Sequence, residues 1–185
     1  PKRDWSSDVC SSDLLSVRSA MSDGQLLIVG AVVSGGSKEV LIRAVGPALN
    51  QFGLRGLPDP RITIYNSLST VLNTNDDWSA SLSTVFSRMG AFPLAQNSKD
   101  AAVVQTVQGG FTVHAGGATG GTMLVEAYDV SGGSSRLANV SARNWVGTGS
   151  DILIAGFAVG SIGAKRLLIR AVGPSLVKFG VPAMV

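Results

Sequence analysis

The chain has 185 residues, a formal net charge of +3, 23 glycines and one cysteine. Its basic residues are scattered, whereas nucleic-acid-binding proteins cluster them on one face, so we predict no nucleic-acid partner. The longest apolar stretch, residues 152–164, is too short to span a bilayer and contains three glycines, so we predict no membrane span.

The first fourteen residues differ in character from the rest. Residues 4–14 read DWSSDVCSSDL and resemble the translation of a common sequencing adapter. We therefore predict that residues 1–14 are a non-native leader and exclude them from the fold prediction. Because Cys10 is the only cysteine of the sequence, the remaining chain has no thiol with which to form a disulfide or bind a metal.

From residue 15 onward the pattern is that of β-strands. Short runs rich in Val, Ile, Leu and Thr are separated by glycine-rich and polar turns. Residues 26–33 are apolar throughout, which predicts a strand buried on both faces. The predicted strands are 26–33, 39–45, 61–65, 70–72, 102–107, 111–115, 122–130, 136–143, 152–159 and 166–172. Together they predict an all-β fold, an antiparallel sandwich of about eight strands for each unit of this size.

A nine-residue phrase occurs twice, as LIRAVGPAL from Leu41 and as LIRAVGPSL from Leu168, at an offset of 127 residues. Upstream of it, residues 25–30 resemble residues 151–156 at offset 126, and residues 15–18 resemble residues 140–143 at offset 125. A period of this length indicates duplication of a small domain. We predict one repeat at 15–139 and the start of a second at 140–185, whose strands either begin a new sandwich or complete the first. The alternative is a unit that spans roughly residues 60–185, in which case residues 15–58 are the tail of a preceding repeat. We also expect the chain to be part of a longer array.

Each phrase predicts a strand that ends at Gly-Pro and continues into a short helix closed by Phe-Gly. Proline favours the first turn of a helix, and glycine favours the position after its end. For the arginine in the middle of the strand two interpretations stay open: an internal contact with a carbonyl or carboxylate, or a contact with a ligand or a neighbouring repeat. The residues assigned a structural role are Arg43, Gly46, Pro47, Arg170, Gly173 and Pro174.

The series of strands predicted in residues 61–130 resembles that of a known domain family. Residues 61–78 read as a strand, a short turn, a second strand and Asn-Asp-Asp, and residues 109–116 and 122–129 read as two further strands. This series resembles the bacterial pre-peptidase C-terminal domains, except that Leu68 stands where that family usually has glycine. The resemblance implies a secreted β-sandwich of jelly-roll type. The LIRAVGP phrase lies outside it and resembles a repeat of large secreted or surface proteins of environmental bacteria.

The candidate functional residues lie in predicted turns. Asn73, Asn75, Asp76 and Asp77 supply the oxygen ligands that calcium prefers, and Asp59, Asp100 or Asp129 would complete the shell. The alternative is a turn in which these side chains cap their own backbone. Trp78 and Trp145 would stack on sugar rings if they are exposed, or pack against the core if they are not.

The sequence predicts no catalytic residues. His114 is the only histidine, and no Gly-x-Ser-x-Gly motif accompanies it. We therefore predict a non-catalytic structural or adhesive repeat module of a secreted or cell-surface bacterial protein, whose partners are neighbouring repeats of the same chain. Two alternatives stay open, namely a module that binds surface glycans with or without calcium, and an accessory domain of a secreted hydrolase. No cofactor other than calcium is predicted.

Overall fold

The computed structural model describes residues 12–159 and 166–181, which are built mainly from antiparallel strands. The strands are β1 (Ser12–Met21), β2 (Leu26–Val45), β3 (Arg61–Asn66), β4 (Val71–Asn75), β5 (Ala101–Gly116), β6 (Gly121–Asp129), β7 (Arg136–Arg143) and β8 (Ile154–Val159). One α-helix, α1 (Ser83–Met89), and the 3₁₀ helices Pro47–Phe52, Ala80–Leu82 and Pro174–Phe179 accompany them. The prediction of an antiparallel all-β fold with a short helix after the Gly-Pro turn is confirmed.

Two long strands, β2 and β5, each belong to two half-sheets. In the described residues the strand order is β4-β3-β5-β2-β6-β1-β8, with β7 paired to β2 off this path. Residues 26–33 of β2 lie between residues 109–116 of β5 and β7, whereas residues 40–45 lie between residues 101–105 of β5 and β6. The first half-sheet therefore contains β4, β3, β5, β2 and β7, and the second contains β5, β2, β6, β1 and β8.

A bulge divides β2 into these two halves. Between Val33 and Ser37, residues 34–36 interrupt the pairing with β5, and Gly35 and Gly36 have positive φ, which glycine adopts at little steric cost. Three is an odd number of extra residues, so the alternation of side chains reverses across the bulge. The sequence predicted two separate strands here because its glycines suggested a turn.

The main core lies between the two half-sheets. It contains Ile62 and Phe111 from the first half-sheet together with Val17, Ile42 and Val125 from the second. Because one continuous cluster holds inward side chains of both half-sheets, the arrangement is that of a sandwich.

A second cluster covers the outer face of the second half-sheet. Leu41 and Val45 point away from the main core and pack with Phe86 of α1 and with Leu49 of the first 3₁₀ helix. Residues 40–45 are therefore buried on both faces. The same burial was predicted for residues 26–33, and that prediction is wrong, since Leu26 is 50% exposed. The sequence pattern did not predict α1.

The first strand, β1, was also not predicted, because its opening residues belong to the adapter-like segment. It pairs with β6 along Leu14–Met21 and with β8 on its other edge. Residues 1–11 of that segment lie outside the described residues. The structure therefore includes the last three residues of the segment, 12–14, in the sheet.

The two LIRAVGP phrases adopt different structures. Both continue into a 3₁₀ helix followed by a left-handed glycine, Gly53 or Gly180, each with φ 74°. The first phrase is a central strand, but residues 166–173 form no strand and Leu168 is 86% exposed, so the strand predicted at 166–172 is wrong. The first phrase is paired with residues 101–105 and 124–129, whereas residues 166–173 have no strand partner among the described residues. The helix needs only local capping, whereas the strand needs partners.

The first testable prediction concerns the glycine of each phrase. A Cβ on Gly46 would overlap the carbonyl oxygen of Leu57, whereas a Cβ on Gly173 would meet nothing within 4 Å. We expect Gly46→Ala to lower the free energy of unfolding by about 2–3 kcal/mol and Gly173→Ala to change it by less than about 0.5 kcal/mol. Urea denaturation of both variants measures this, and equal effects would contradict the packing role of Gly46.

Candidate functional site

A buried ion pair joins β2 to β6 beneath α1. Arg43 and Glu126 are cross-strand neighbours, and Nε of Arg43 lies 3.3 Å from Oε2 of Glu126, with side chains 0% and 7% exposed. The hydroxyl of Tyr128 donates a hydrogen bond of 2.9 Å to the other carboxylate oxygen. Each charge is stable at this depth only because the other is present, since removing one partner leaves an uncompensated buried charge.

The same arginine connects the sheet to the segment that covers it. Nη1 of Arg43 donates to the carbonyl oxygen of Phe92 at 2.9 Å. The guanidinium carbon lies 4.6 Å from the ring centre of Phe86 and 4.5 Å from that of Phe92, distances at which a cation is attracted to an aromatic face. The bulge in β2 makes these contacts possible, because it turns residues 41, 43 and 45 away from the main core.

Burial shifts the pKa of each member of this group. It lowers the pKa of Arg43, an effect that the charge of Glu126 opposes, and it raises the pKa of Glu126, which Arg43 opposes. Burial also raises the pKa of Tyr128, together with the charge of Glu126. With Arg43 fully buried and Glu126 nearly so, the pair contacts protein groups and has no access to a ligand in solvent.

The Gly46-Pro47 turn is held by a second buried carboxylate, Asp100, which is 0% exposed. One of its oxygens accepts hydrogen bonds from the N–H groups of Gly46 at 2.8 Å and Ala48 at 3.3 Å. Its other oxygen accepts one from the Ser98 hydroxyl at 2.8 Å. Asp100 was predicted as a contributor to a calcium shell. The structure uses its carboxylate to satisfy backbone donors at the start of the 3₁₀ helix.

In the second phrase the corresponding residues have different surroundings. Arg170 is exposed and lies in a stretch without strand structure, and Gly173 and Pro174 begin a 3₁₀ helix as Gly46 and Pro47 do. The equivalence between the two phrases is therefore local, because the side chains that surround Arg43 come from distant parts of the chain.

The predicted calcium ligands lie at the end of β4 and directly after it. Asp76 forms an ion pair with Arg61, with Nη2 and Oδ2 2.8 Å apart. Asp77 pairs with Lys99 at the same distance, and this contact raises the pKa of Lys99. Each carboxylate therefore already faces a cation.

The two asparagines of the turn are hydrogen-bonded to the backbone and to β5. Asn75 accepts from the N–H of Ala102 at 2.8 Å and donates to the carbonyl oxygen of Asp77 at 2.9 Å, and Asn73 donates to the Gln105 side chain at 3.0 Å. Within residues 12–159 and 166–181, no three His, Cys, Asp or Glu side chains are grouped as metal ligands. Asp129, another predicted contributor, pairs with the buried Lys38 at 2.7 Å.

The two tryptophans lie in different environments. Trp78 is half-buried, its ring centre is 5.4 Å from that of Phe86, and its indole N–H donates to the Ser98 hydroxyl at 3.1 Å. Trp145 follows β7, is 46% exposed and has its ring beside Gly147. Trp78 therefore presents little of its ring to a sugar, and Trp145 presents about half of its surface.

Sequence reasoning missed the residues that surround Arg43, which are Glu126, Phe86 and Phe92. A signal for Glu126 was present, because Arg43 and Glu126 are each the only charged residue within an apolar strand segment, and such charges tend to be paired. No comparable signal identified Phe86 and Phe92, since their contact with the arginine depends on how residues 77–100 fold over the sheet.

Comparisons with protein-family models, with curated proteins and with solved structures find no match for this chain. Among the described residues, no helix is long and apolar enough to cross a membrane. The function has to be argued from the residues and their geometry.

The second prediction tests the buried pair. We expect Arg43→Ala to lower the free energy of unfolding by about 3–5 kcal/mol, because Glu126 loses its cation. The matched control is Arg170→Ala, which removes the exposed arginine of the second phrase and should change stability by less than about 0.5 kcal/mol. Chemical denaturation of both variants at pH 7 makes the comparison.

The stability of the Arg43→Ala variant should depend on pH. Burial already raises the pKa of Glu126, and loss of Arg43 raises it further, so the folded state binds a proton at a pH where the unfolded state does not. The cost of burying the carboxylate is absent below the unfolded pKa, about 4.3, grows as pH rises above that value and is complete above the folded pKa. The deficit of Arg43→Ala relative to the native chain should therefore shrink from pH 7 to pH 4, and Arg43→Ala/Glu126→Gln should lack this dependence.

The third prediction concerns calcium. Binding at the turn would have to displace Arg61 from Asp76 and Lys99 from Asp77, and Oδ1 of Asn75 already accepts a hydrogen bond from the N–H of Ala102. We expect millimolar calcium to leave the melting temperature of the native chain unchanged, measured by calorimetry against a magnesium control. A rise that is specific to calcium and is lost in Asp76→Asn/Asp77→Asn would establish the site.

Proposed function

We propose that this protein is a non-catalytic structural repeat module of a secreted or cell-surface bacterial protein, and that copies of the module are joined through shared β-sheets. One observation carries the proposal. Strands β7 and β8 lie at the repeat equivalents of β1 and the start of β2, yet they pair with β2 and β1 of the first copy. Two copies of the repeated sequence therefore contribute strands to one fold, as expected of a protein that works as a connected series.

The polar groups support a structural role. Arg43 and Glu126 pair with each other in the interior, Asp100 binds backbone N–H groups, and the carboxylates of Asp76 and Asp77 are held by cations. A binding or catalytic site requires polar groups that are directed at a ligand. In this protein the buried and ion-paired polar side chains contact one another and the backbone.

The extracellular location is proposed on composition and resemblance. Only 15% of the residues are charged and 23 are glycine, a composition that suits secreted all-β proteins. The resemblances of residues 61–130 to pre-peptidase C-terminal domains and of the LIRAVGP phrase to surface-protein repeats point the same way.

The fourth prediction tests the structural role by pulling the full chain between two marker domains. If β7 and β8 belong to the mechanical unit, residues 12–159 should unfold in one event that releases on the order of 50 nm of chain, at about 3.5 Å per residue. If they formed a separate unit, the main event would be about 10 nm shorter.

A glycan array probed with the full chain tests the alternative function, which is a carbohydrate-binding module. We expect no specific signal, because Trp78 is half-buried and Trp145 packs on its own loop. A glycan that binds the native chain and is lost in Trp145→Ala, while Arg170→Ala keeps it, would replace the structural proposal with a carbohydrate-binding module.

A further inference from the structure

The two contacts between the copies have the same register. In β2–β7, Ile28 pairs with Arg143 and Gly30 with Ser141. In β1–β8, Arg18 pairs with Ile154 and Ser16 with Gly156. The repeat offset of 126 converts residues 28 and 30 into 154 and 156, and the offset of 125 converts residues 18 and 16 into 143 and 141. The repeat offsets therefore convert each strand pairing into the other with no change of register.

The inward faces of β1 and β7 agree as well. Leu15 and Val17 of β1 are buried in the main core. Their repeat equivalents in β7, Val140 and Ala142, are partly buried against the same core. The two strands therefore have the same orientation relative to the core, in addition to the same pairing.

The paired residues also share a packing detail. A Cβ on Gly30 would lie 2.8 Å from Oγ of Ser141, and a Cβ on Gly156 would lie 2.7 Å from Oγ of Ser16. In both places the serine side chain occupies the space above a glycine of the opposite strand. A glycine inside a strand costs stability unless another group approaches closely, so the two glycine–serine contacts are features of one kind of joint.

We propose that β2–β7 and β1–β8 are one joint formed twice, so that two copies of the repeat exchange β1 and β2 reciprocally about a local two-fold axis. Strand 1 of each copy pairs with strand 2 of the other. Reciprocity of this kind, in which residue i contacts j and j contacts i, defines an isologous interface. This inference rests on the shared sheets of the proposed function. It goes beyond that function because a head-to-tail series of copies would also share sheets, whereas only reciprocal exchange forms the same joint twice between two copies.

The pairing within the first copy shows where the rest of a second copy would bind. Within the first copy, β1 pairs on its other edge with β6, and residues 26–33 of β2 pair with β5. Among the described strands, β7 is paired with β2 and β8 with β1. We expect the β6 and β5 strands of a complete second copy to pair with β7 and β8 in the same way.

The apolar character of β8 identifies the same occupant. Ile154 and Phe157 are 40% and 45% exposed, whereas Ala31, the equivalent of Phe157, is 6% exposed in the first copy. An apolar strand at the edge of a sheet is a liability unless another element covers it. In the first copy residues 26–33 pair with β5 and Ala31 is buried in the main core, so we expect the β5 strand and the core of a second copy to bury β8 in the same way.

Engineered disulfides test the arrangement in a Cys10→Ser background. One pair, Arg18→Cys/Ile154→Cys, reports the β1–β8 joint, and the equivalent pair, Ile28→Cys/Arg143→Cys, reports β2–β7. Directly opposed residues are close enough to form a disulfide, whereas diagonal residues are about 7–8 Å apart. Ser16→Cys/Ile154→Cys is therefore the out-of-register control. In the full chain both in-register pairs should cross-link and the control should not.

The decisive measurement uses the full chain extended after Leu176 with residues 50–130 of its own sequence, which completes the second copy. Reciprocal exchange predicts that both in-register pairs still cross-link, to the same extent as in the unextended chain. In a head-to-tail series the 28/143 pair would cross-link while the 18/154 pair falls to the level of the control, which would overturn the two-fold arrangement. Loss of both cross-links would also overturn the two-fold arrangement. If both pairs cross-link but the pulling experiment fails, the proposed structural role is rejected and the two-fold arrangement of the copies stands.

Discussion

Three extra residues in β2 determine much of this structure. The bulge at residues 34–36 bends the strand into the second half-sheet and reverses its alternation of side chains. Odd-numbered residues face the main core before the bulge, and even-numbered residues face it afterwards. Arg43 consequently lies on the outer face with Leu41 and Val45, where α1 and its flanking segments cover it. Without the reversal, the LIRAVGP phrase would direct its arginine between the two half-sheets.

Residues 77–100, which cover the outer face of the second half-sheet, are held there by specific polar contacts in addition to the apolar cluster. Arg43 reaches the backbone of Phe92 and the rings of two phenylalanines, and Asp100 binds the N–H groups at the start of the first 3₁₀ helix. Buried charges of this kind contribute little net stability, but each becomes costly when its partner is absent. They therefore specify which face of the sheet residues 77–100 cover. This accounts for the arginine inside the otherwise apolar strand of the first phrase.

The duplication has a consequence for assembly that follows from the pairing of strands. Residues 28–33 of β2 have β5 on one edge and β7 on the other, and β7 is the sequence equivalent of β1. Under the proposed function each copy would be incomplete by itself in one half-sheet, and the shared strands would join neighbouring copies through backbone hydrogen bonds.

The sequence by itself determined the strand class, the short capped helices and most strand positions, because alternation and turn residues are local properties. It also predicted two strands and a short turn within residues 61–78, and the β3–β4 pairing confirms them. Tertiary structure decided the fusion of strands across glycine-rich bends, the position of α1, the partners of Arg43 and Asp100, and the absence of a strand in the second phrase. The physical reason is that these depend on groups far apart in sequence. The same residues, LIRAVGP, form a central strand where β5 and β6 flank them and form no strand where those partners are absent from the described residues.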